Sequence, residues 1–290
     1  MRRACIDIGS NTTRLLVADC DPARIAEIHQ ERAFTHIGRH RLADGNITEV
    51  KIQEVAAVVA SQLRIARELG SVDVRAVATA AIRRAVNGAE LVAAVHRECG
   101  LDVQILTGEE EARLAFVGAA RTFGHLPEGE LGVVDVGGGS SELVVGSLPD
   151  QISWSASFPL GSGDLAHTCL RSDPPLPPEL AEARSRVADA LEAFEIPHPA
   201  EAVAVGGSAM SLLRVAGPLL DARAFARSLR ELAVAPAREV AQRFGLDVER
   251  VRLLPAGLLI LQAASERFGS PLKVVGGGLR EGVLLEASGV

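Results

Sequence analysis

Asp135-Val136-Gly137-Gly138-Gly139-Ser140-Ser141-Glu142 is the stretch on which the fold turns. Leu131, Val133 and Val134 lead into it and Leu143-Val144-Val145 lead out, so it reads as strand, tight turn, strand. Three successive glycines let backbone N–H groups approach an anion closely, and Ser140 and Ser141 add hydroxyl donors. An aspartate where strand meets turn repels a phosphate directly. It makes sense with a divalent cation between the two, because hard cations take oxygen ligands and bridge to phosphate oxygens. Glu142, seven residues on, offers a second carboxylate or a hold on a metal-bound water. The plainer alternative is a glycine-rich hairpin with an incidental Asp.

The loop occurs twice. Asp7-Ile8-Gly9-Ser10-Asn11-Thr12-Thr13-Arg14 lies 128 positions earlier (135 − 7 = 128), and Asp7/Asp135, Gly9/Gly137, Leu15/Leu143 and Val17/Val145 are identical pairs. At the same offset Ala76-Val77 falls on Ala204-Val205, and the next turn, 78–81, falls on Gly206-Gly207-Ser208-Ala209. Two segments sharing one offset predict a duplicated domain, since the spacing far exceeds solenoid periods. In the first copy Ser10 and Asn11 replace glycines and supply side-chain donors. Facing copies form opposing walls of a cleft, a common place for a site in two-domain α/β proteins.

Between these landmarks strands alternate with helices, which indicates an α/β architecture. Helical spacing runs over about 47–69, 88–98, 109–118, 179–194, 209–215, 235–244 and 255–268, with further strands at 74–78, 103–106, 202–205 and 272–275. Turn formers at Gly124–Gly129 divide the chain into 1–124 and 125–290, and four prolines within 172–178 predict an extended surface connection. Trp154 and Phe158 read as core.

Composition narrows the function. At 290 residues and 48% apolar content the chain supports two globular domains. A net charge of −7 argues against an extended nucleic-acid surface. The longest late apolar run, Leu253–Leu261, is far below the roughly 20 residues of a membrane span, and no secretory signal is expected. Cys5, Cys20, Cys99 and Cys169 follow no ligand spacing and fit free thiols of a reducing cytosol. We therefore expect a cytoplasmic protein with no nucleic-acid or membrane partner.

Three other segments carry candidate chemistry. In Thr107-Gly108-Glu109-Glu110-Glu111-Ala112-Arg113 the acids suit the first turn of a helix capped by Thr107, and one of them, beside a phosphate cleft, suits a general base. Arg83-Arg84 offers guanidinium forks for phosphate oxygens, against a plain surface role. Gly206-Gly207-Ser208 and Gly276–Arg280 each follow a strand and expose backbone donors, against simple helix–strand packing. A P-loop is excluded because neither lysine follows a glycine. Gly161-Ser162-Gly163 lacks the third glycine of a dinucleotide fingerprint. His36 and His40 have no accompanying ligands.

Taken together, Asp7–Val17, Val77–Asn87, Thr107–Gly118, Val133–Val145, Val205–Ser208, Pro255–Ile260 and Val275–Leu284 resemble, in order, the exopolyphosphatase/guanosine-pentaphosphate phosphohydrolase (Ppx/GppA) phosphatases. The resemblance implies two ribonuclease-H-like domains of the actin–hexokinase–Hsp70 superfold with an interdomain cleft. It implies Glu111 as the carboxylate that activates water and Arg83 on the transferred phosphoryl group. Asp135 and Glu142, with Asp7, match the Mg2+ region. Ser10, Asn11, Gly137, Gly138, Gly139, Ser140, Gly206, Gly207 and Ser208 match phosphate-contacting loops. The implied reaction releases terminal orthophosphate from inorganic polyphosphate, or the 5′ γ-phosphate from guanosine pentaphosphate. Two departures stand out. Asp164 replaces a frequent arginine and reverses a charge near the cleft, and Ala80 replaces a frequent serine. Longer members carry C-terminal helical domains, and without them a weaker grip on long substrates is expected. Two other readings stay open, a nucleotide or polyphosphate sensor without turnover and an ATP-dependent kinase of the same superfold. A homodimer is kept open as the assembly.

Overall fold

Both acidic loops close with the same hydrogen bond. Gly9 N donates to Thr12 O and Gly137 N to Ser140 O, each at 3.0 Å, one repeat apart. In the computed structural model, which describes residues 1–21, 25–40, 44–125 and 127–286, each turn joins two antiparallel strands. These are β1 (Arg2–Ile8) with β2 (Thr12–Cys20), and β6 (Leu131–Val136) with β7 (Ser141–Ser147).

The first half continues with β3 (Ile25–Phe34), α1 (Glu49–Glu68), β4 (Asp73–Ala78), α2 (Ala80–Arg83), α3 (Gly88–Cys99), β5 (Val103–Ile105) and α4 (Gly108–Thr122). After β6 and β7 the second half adds β8 (Gln151–Phe158), α5 (Ser162–Cys169), α6 (Pro177–Glu192), β9 (Glu201–Val205), α7 (Gly206–Ala216) and β10 (Leu219–Leu220). It ends with α8 (Ala222–Val234), α9 (Ala237–Phe244), α10 (Val248–Phe268), β11 (Leu272–Val274) and α11 (Leu279–Glu286). The sheet orders are β3-β2-β1-β4-β5 and β10-β11-β9-β6-β7-β8. Read from β8, the second repeats the first and adds β10. In both, two hairpin strands flank the opening strand on one side, and β4 and β5, or β9 and β11, run parallel to it on the other. The architecture is two α/β halves that repeat one sheet topology, as expected, with the acidic turns at corresponding strand ends.

The central strands are apolar on both faces because helices cover both. Ala4, Ile6 and Ile8 face α1 and α3, packing with Val55, Val59, Leu91 and Val95. Their neighbours Cys5, Leu16 and Val77 face the other way, onto Val283 and Leu284 of α11. In the second half Val134, Val136, Leu143 and Val145 pack with α5, α6, α7 and α10. Val133, Val144 and Val203 meet Ala112, Phe116 and Ala119 of α4. The helices have therefore crossed. α4 leaves the first sheet and covers the second, and the last helix returns to the first, so a cut at 124/125 separates α4 from the sheet it packs on. The crossing is close, since a Cβ on Gly118 would lie 2.0 Å from Gly278 O and one on Gly282 2.1 Å from Leu114 O.

Several boundaries differ from expectation. The extended stretch ends at Leu176, because Pro177 and Pro178 open α6, where a missing N–H costs nothing. α10 begins at Val248 under an Asp247 cap, with Pro255 inside it. Dense burial of Leu253–Leu261 outweighs the lost hydrogen bond. β3, α2, β8, α5, β10, α8 and α11 are additional to the elements expected from the sequence, although α8 carries an Asp221 cap and an apolar face. Phe158 is buried and Trp154 packs half-buried against the same core. Within Gly124–Gly129, residue 126 lies outside the described residues. No described helix is long and apolar enough to cross a membrane.

Gly118→Val forces the crossing helices apart and should cost about 1–3 kcal/mol, read as a lower urea midpoint. Gly276→Ala, whose added Cβ meets nothing within 4 Å, should leave that midpoint unchanged.

Candidate active site

Three acids open α4, and capping separates them. Thr107 Oγ1 accepts from Glu110 N at 3.1 Å while Glu110 Oε2 accepts from Thr107 N at 2.7 Å, a reciprocal box that occupies Glu110. Glu109 is exposed. Glu111 turns inward and is 6% exposed. Its Oε1 accepts a short hydrogen bond from Arg83 Nη1, which also donates to Leu106 O at 2.6 Å. Arg83 reaches it from the end of α2, just past β4 of the first sheet.

Asp7 and Asp135 end β1 and β6, and their partners across the hairpins are Arg14 and Glu142. Glu142 is buried, its Oε1 accepts from Ser157 Oγ at 2.9 Å, and Ser140 also hydrogen-bonds it. Burial pushes the Glu111 carboxyl up to about 7; Arg83 opposes this, while Asp7 and Asp135 add to it. Burial takes Asp135 to about 6 against the pull of Arg14. Asp7 is raised by burial, with Arg14 and Arg280 opposing. Burial, then Glu111 and Asp135, lifts Glu142 well above the ordinary carboxylate range. Four acids thus disfavour one another's charge in one place.

The glycine loop is held by its carbonyls. Gly137 O accepts from Ser162 N at 2.9 Å, and Gly138 O from Gly163 N and Asp164 N. The N–H groups of Gly138 and Gly139 donate to no other described residue, which leaves them for an anion. The opposing loop packs directly on this one. A Cβ on Gly139 would lie 2.3 Å from Ser10 Oγ, and one on Gly138 2.7 Å from Asn11 Nδ2, a buried amide without a partner among the described residues. Gly206 starts α7 at φ +80°, and a Cβ there would lie 2.1 Å from Asp135 Oδ1, so only glycine fits. Ser208 Oγ is used on Val136 O at 3.3 Å, a structural bond. Gly277 sits against Gly118 O, so the 276–280 loop seats the helix crossing.

Two arginines have no place in the sequence reading of the site. A Cβ on Gly207 would lie 2.1 Å from Arg14 Nη2 and 3.1 Å from Arg250 Nη1. Burial lowers Arg14 to about 10, with Arg280 adding to it, and lowers Arg250 to about 9, with Arg14 adding to it. Arg14 had one available signal, since it occupies the repeat position of Glu142 (14 + 128 = 142). Arg250 had none. The seam between the two halves is therefore acidic around Glu111 and Glu142 and cationic around Gly207.

No three His, Cys, Asp or Glu side chains among the described residues form a metal cage by themselves. The donor set nevertheless fits Mg2+, which takes one or two carboxylates and completes its shell with water and phosphate oxygens. Asp7 Oδ1 is buried with no hydrogen-bond partner among the described residues, beside the raised Asp135.

The chain matches the sequence model of the Ppx/GppA phosphatase family over residues 16–289. It is 30% identical over 304 residues to exopolyphosphatase 1 of Mycobacterium leprae, covering 98% of this chain and 89% of that protein. To exopolyphosphatase 2 of Mycobacterium tuberculosis it is 31% identical over 262 residues, covering 83% and 79%. The crystal structure of the Aquifex aeolicus Ppx/GppA family member superposes with a TM-score of 0.82 at 32% identity, covering 99% of this chain and 97% of that one. An exopolyphosphatase from Cytophaga hutchinsonii shares the fold, with a TM-score of 0.87 at 23% identity, covering 100% and 98%.

Glu111 holds its proton in the folded protein between pH 4.5 and 7, where the unfolded chain has lost it, so its contribution to stability falls as pH rises across that window. Glu111→Gln should therefore be more stable than the parent at pH 8 by on the order of 1–3 kcal/mol, the difference closing towards pH 5 in denaturant titrations.

Proposed function

The chain belongs to the Ppx/GppA phosphatase family, and from that premise we propose that it is a Mg2+-dependent exopolyphosphatase releasing terminal orthophosphate from inorganic polyphosphate. The observation that carries this is Glu111, a buried carboxyl raised to about 7 among other buried acids and paired with the Arg83 guanidinium. Its proton affinity suits a general base working near neutral pH.

Each group then has a task. Gly138 and Gly139 N–H groups, Ser10 and Asn11 hold phosphate oxygens, and the first turn of α7 at Gly207 adds backbone donors. Arg14 and Arg250 supply countercharge for the rest of the polyanion. Arg83 moves from Glu111 to the terminal phosphoryl group. Because Arg83 lowers the Glu111 pKa, that transfer strengthens the base as the substrate arrives. Glu111 takes the proton of the attacking water. Asp135 and Asp7 would hold Mg2+, with Glu142 behind them, and the ion would supply positive charge to the phosphoryl group in transfer. The 5′ γ-phosphate of guanosine pentaphosphate presents the same terminal anhydride and is the second candidate substrate. Four free thiols fit a reducing cytoplasm.

Phosphate release should be measured with short polyphosphate, long polyphosphate and guanosine pentaphosphate, each with Mg2+ and with EDTA. We expect release from polyphosphate that EDTA abolishes, and a kcat/KM that falls about tenfold per unit below pH 7, where the base of the free protein is protonated. Glu111→Gln should lose about 10²–10⁴-fold in kcat while still binding substrate. Undiminished turnover removes Glu111 from the role, and binding without release by the parent makes the protein a sensor.

A further inference from the structure

Arg84 follows Arg83 but reaches the other half of the molecule. Its Nη2 donates to Gly139 O at 2.8 Å and to Asp164 Oδ2 at 2.9 Å, and its Nε donates to Ala80 O at 3.2 Å. Nη1 donates to no described residue. Asp164 stands in the first turn of α5, its N–H on Gly138 O at 3.1 Å, so its carboxylate is fixed against the glycine loop. The two side chains are 30% and 35% exposed. The charge that departs from the family at position 164 is thus answered within the chain, across the cleft.

Asp164 is an anion already lodged where the proposed function calls for one. It neutralises a guanidinium that lies on the phosphate loop, beside Ser10 and the free N–H groups of Gly138 and Gly139. We propose that Asp164 is a built-in competitor of the substrate, occupying Arg84 in the free protein until a phosphate of the polyanion takes its place. The proposal rests on the polyphosphate reading of this cleft. A phosphate can accept from both Arg84 amino groups and from the adjacent loop amides, whereas Asp164, anchored on α5, engages one amino group through one oxygen. Arg84 is then a specificity residue for polyanions, and Asp164 sets how readily it is available.

The test is equilibrium binding of imidodiphosphate, a non-hydrolysable P–N–P analogue, to the parent, Asp164→Asn, Arg84→Ala, the double variant, and the reversed pair Arg84→Asp/Asp164→Arg. Thermal unfolding verifies the fold of each, and Asp164→Ser replaces Asp164→Asn if the latter unfolds early. Asp164→Asn should tighten binding roughly two- to fivefold, the worth of an ion pair between partly exposed groups. Arg84→Ala should weaken it by at least as much, and Asp164→Asn should no longer tighten binding in the Arg84→Ala background. That cycle separates competition for Arg84 from a general loss of negative charge. Binding by the parent with no tightening in Asp164→Asn overturns the proposal alone. So does a reversed pair that binds like the parent, which makes the pair an interdomain fastener. A parent that binds no imidodiphosphate overturns the polyphosphate reading and this proposal with it.

Discussion

Asp7, Glu111, Asp135 and Glu142 are carboxyls drawn together in the seam between two sheets, and the surrounding structure is arranged around the cost of holding them there. Each is pushed towards its neutral form by burial, and the neighbouring acids add to the push. A buried acid without a partner charge is among the more expensive things a fold can contain. Arg83, Arg14 and Arg280 offset part of it, glycine at 206 leaves room for the Asp135 carboxyl, and Ser157 and Ser140 satisfy Glu142. What they leave uncompensated is negative charge, which under the proposed function a divalent cation with its phosphate would complement.

The crossed helices give this seam its mechanical character. Glu111 belongs to the first half by sequence, yet α4 carries it on the second sheet through Ala112, Phe116 and Ala119. Arg83 stays with the first sheet. The ion pair between them therefore spans the two bodies, as does the pair of Arg84 with Asp164. Any relative rotation of the halves alters both pairs, so cleft geometry and the basicity of Glu111 are linked.

Much of this was legible in the sequence, for identifiable reasons. The duplicated hairpin was readable because Asp, glycine and apolar residues recur at one offset, and the matching turn bonds of Gly9 and Gly137 are the structural counterpart. Glu111 was one of three acids by pattern. Only the capping box, which uses Glu110 and leaves Glu109 in water, shows why it alone points inward. Arg250 was invisible because it lies far along the chain in an ordinary helix, and its role arises from tertiary contact with Arg14 and Gly207. The helix crossing was invisible too, since apolar periodicity says that a face is buried and nothing about which sheet buries it. Asp164 looked like a lost positive charge, and its partner could be found only across the cleft.

Calorimetric titration of Mg2+ at pH 6, repeated in buffers of different ionisation enthalpy, probes the seam most directly. Carboxyls that still hold protons at that pH must release them to a cation. We predict net proton release on binding at pH 6, a smaller release at pH 8.5, and loss of most of the binding in Asp135→Asn. Binding without proton release, or binding indifferent to Asp135, would contradict an acidic seam built to receive a cation.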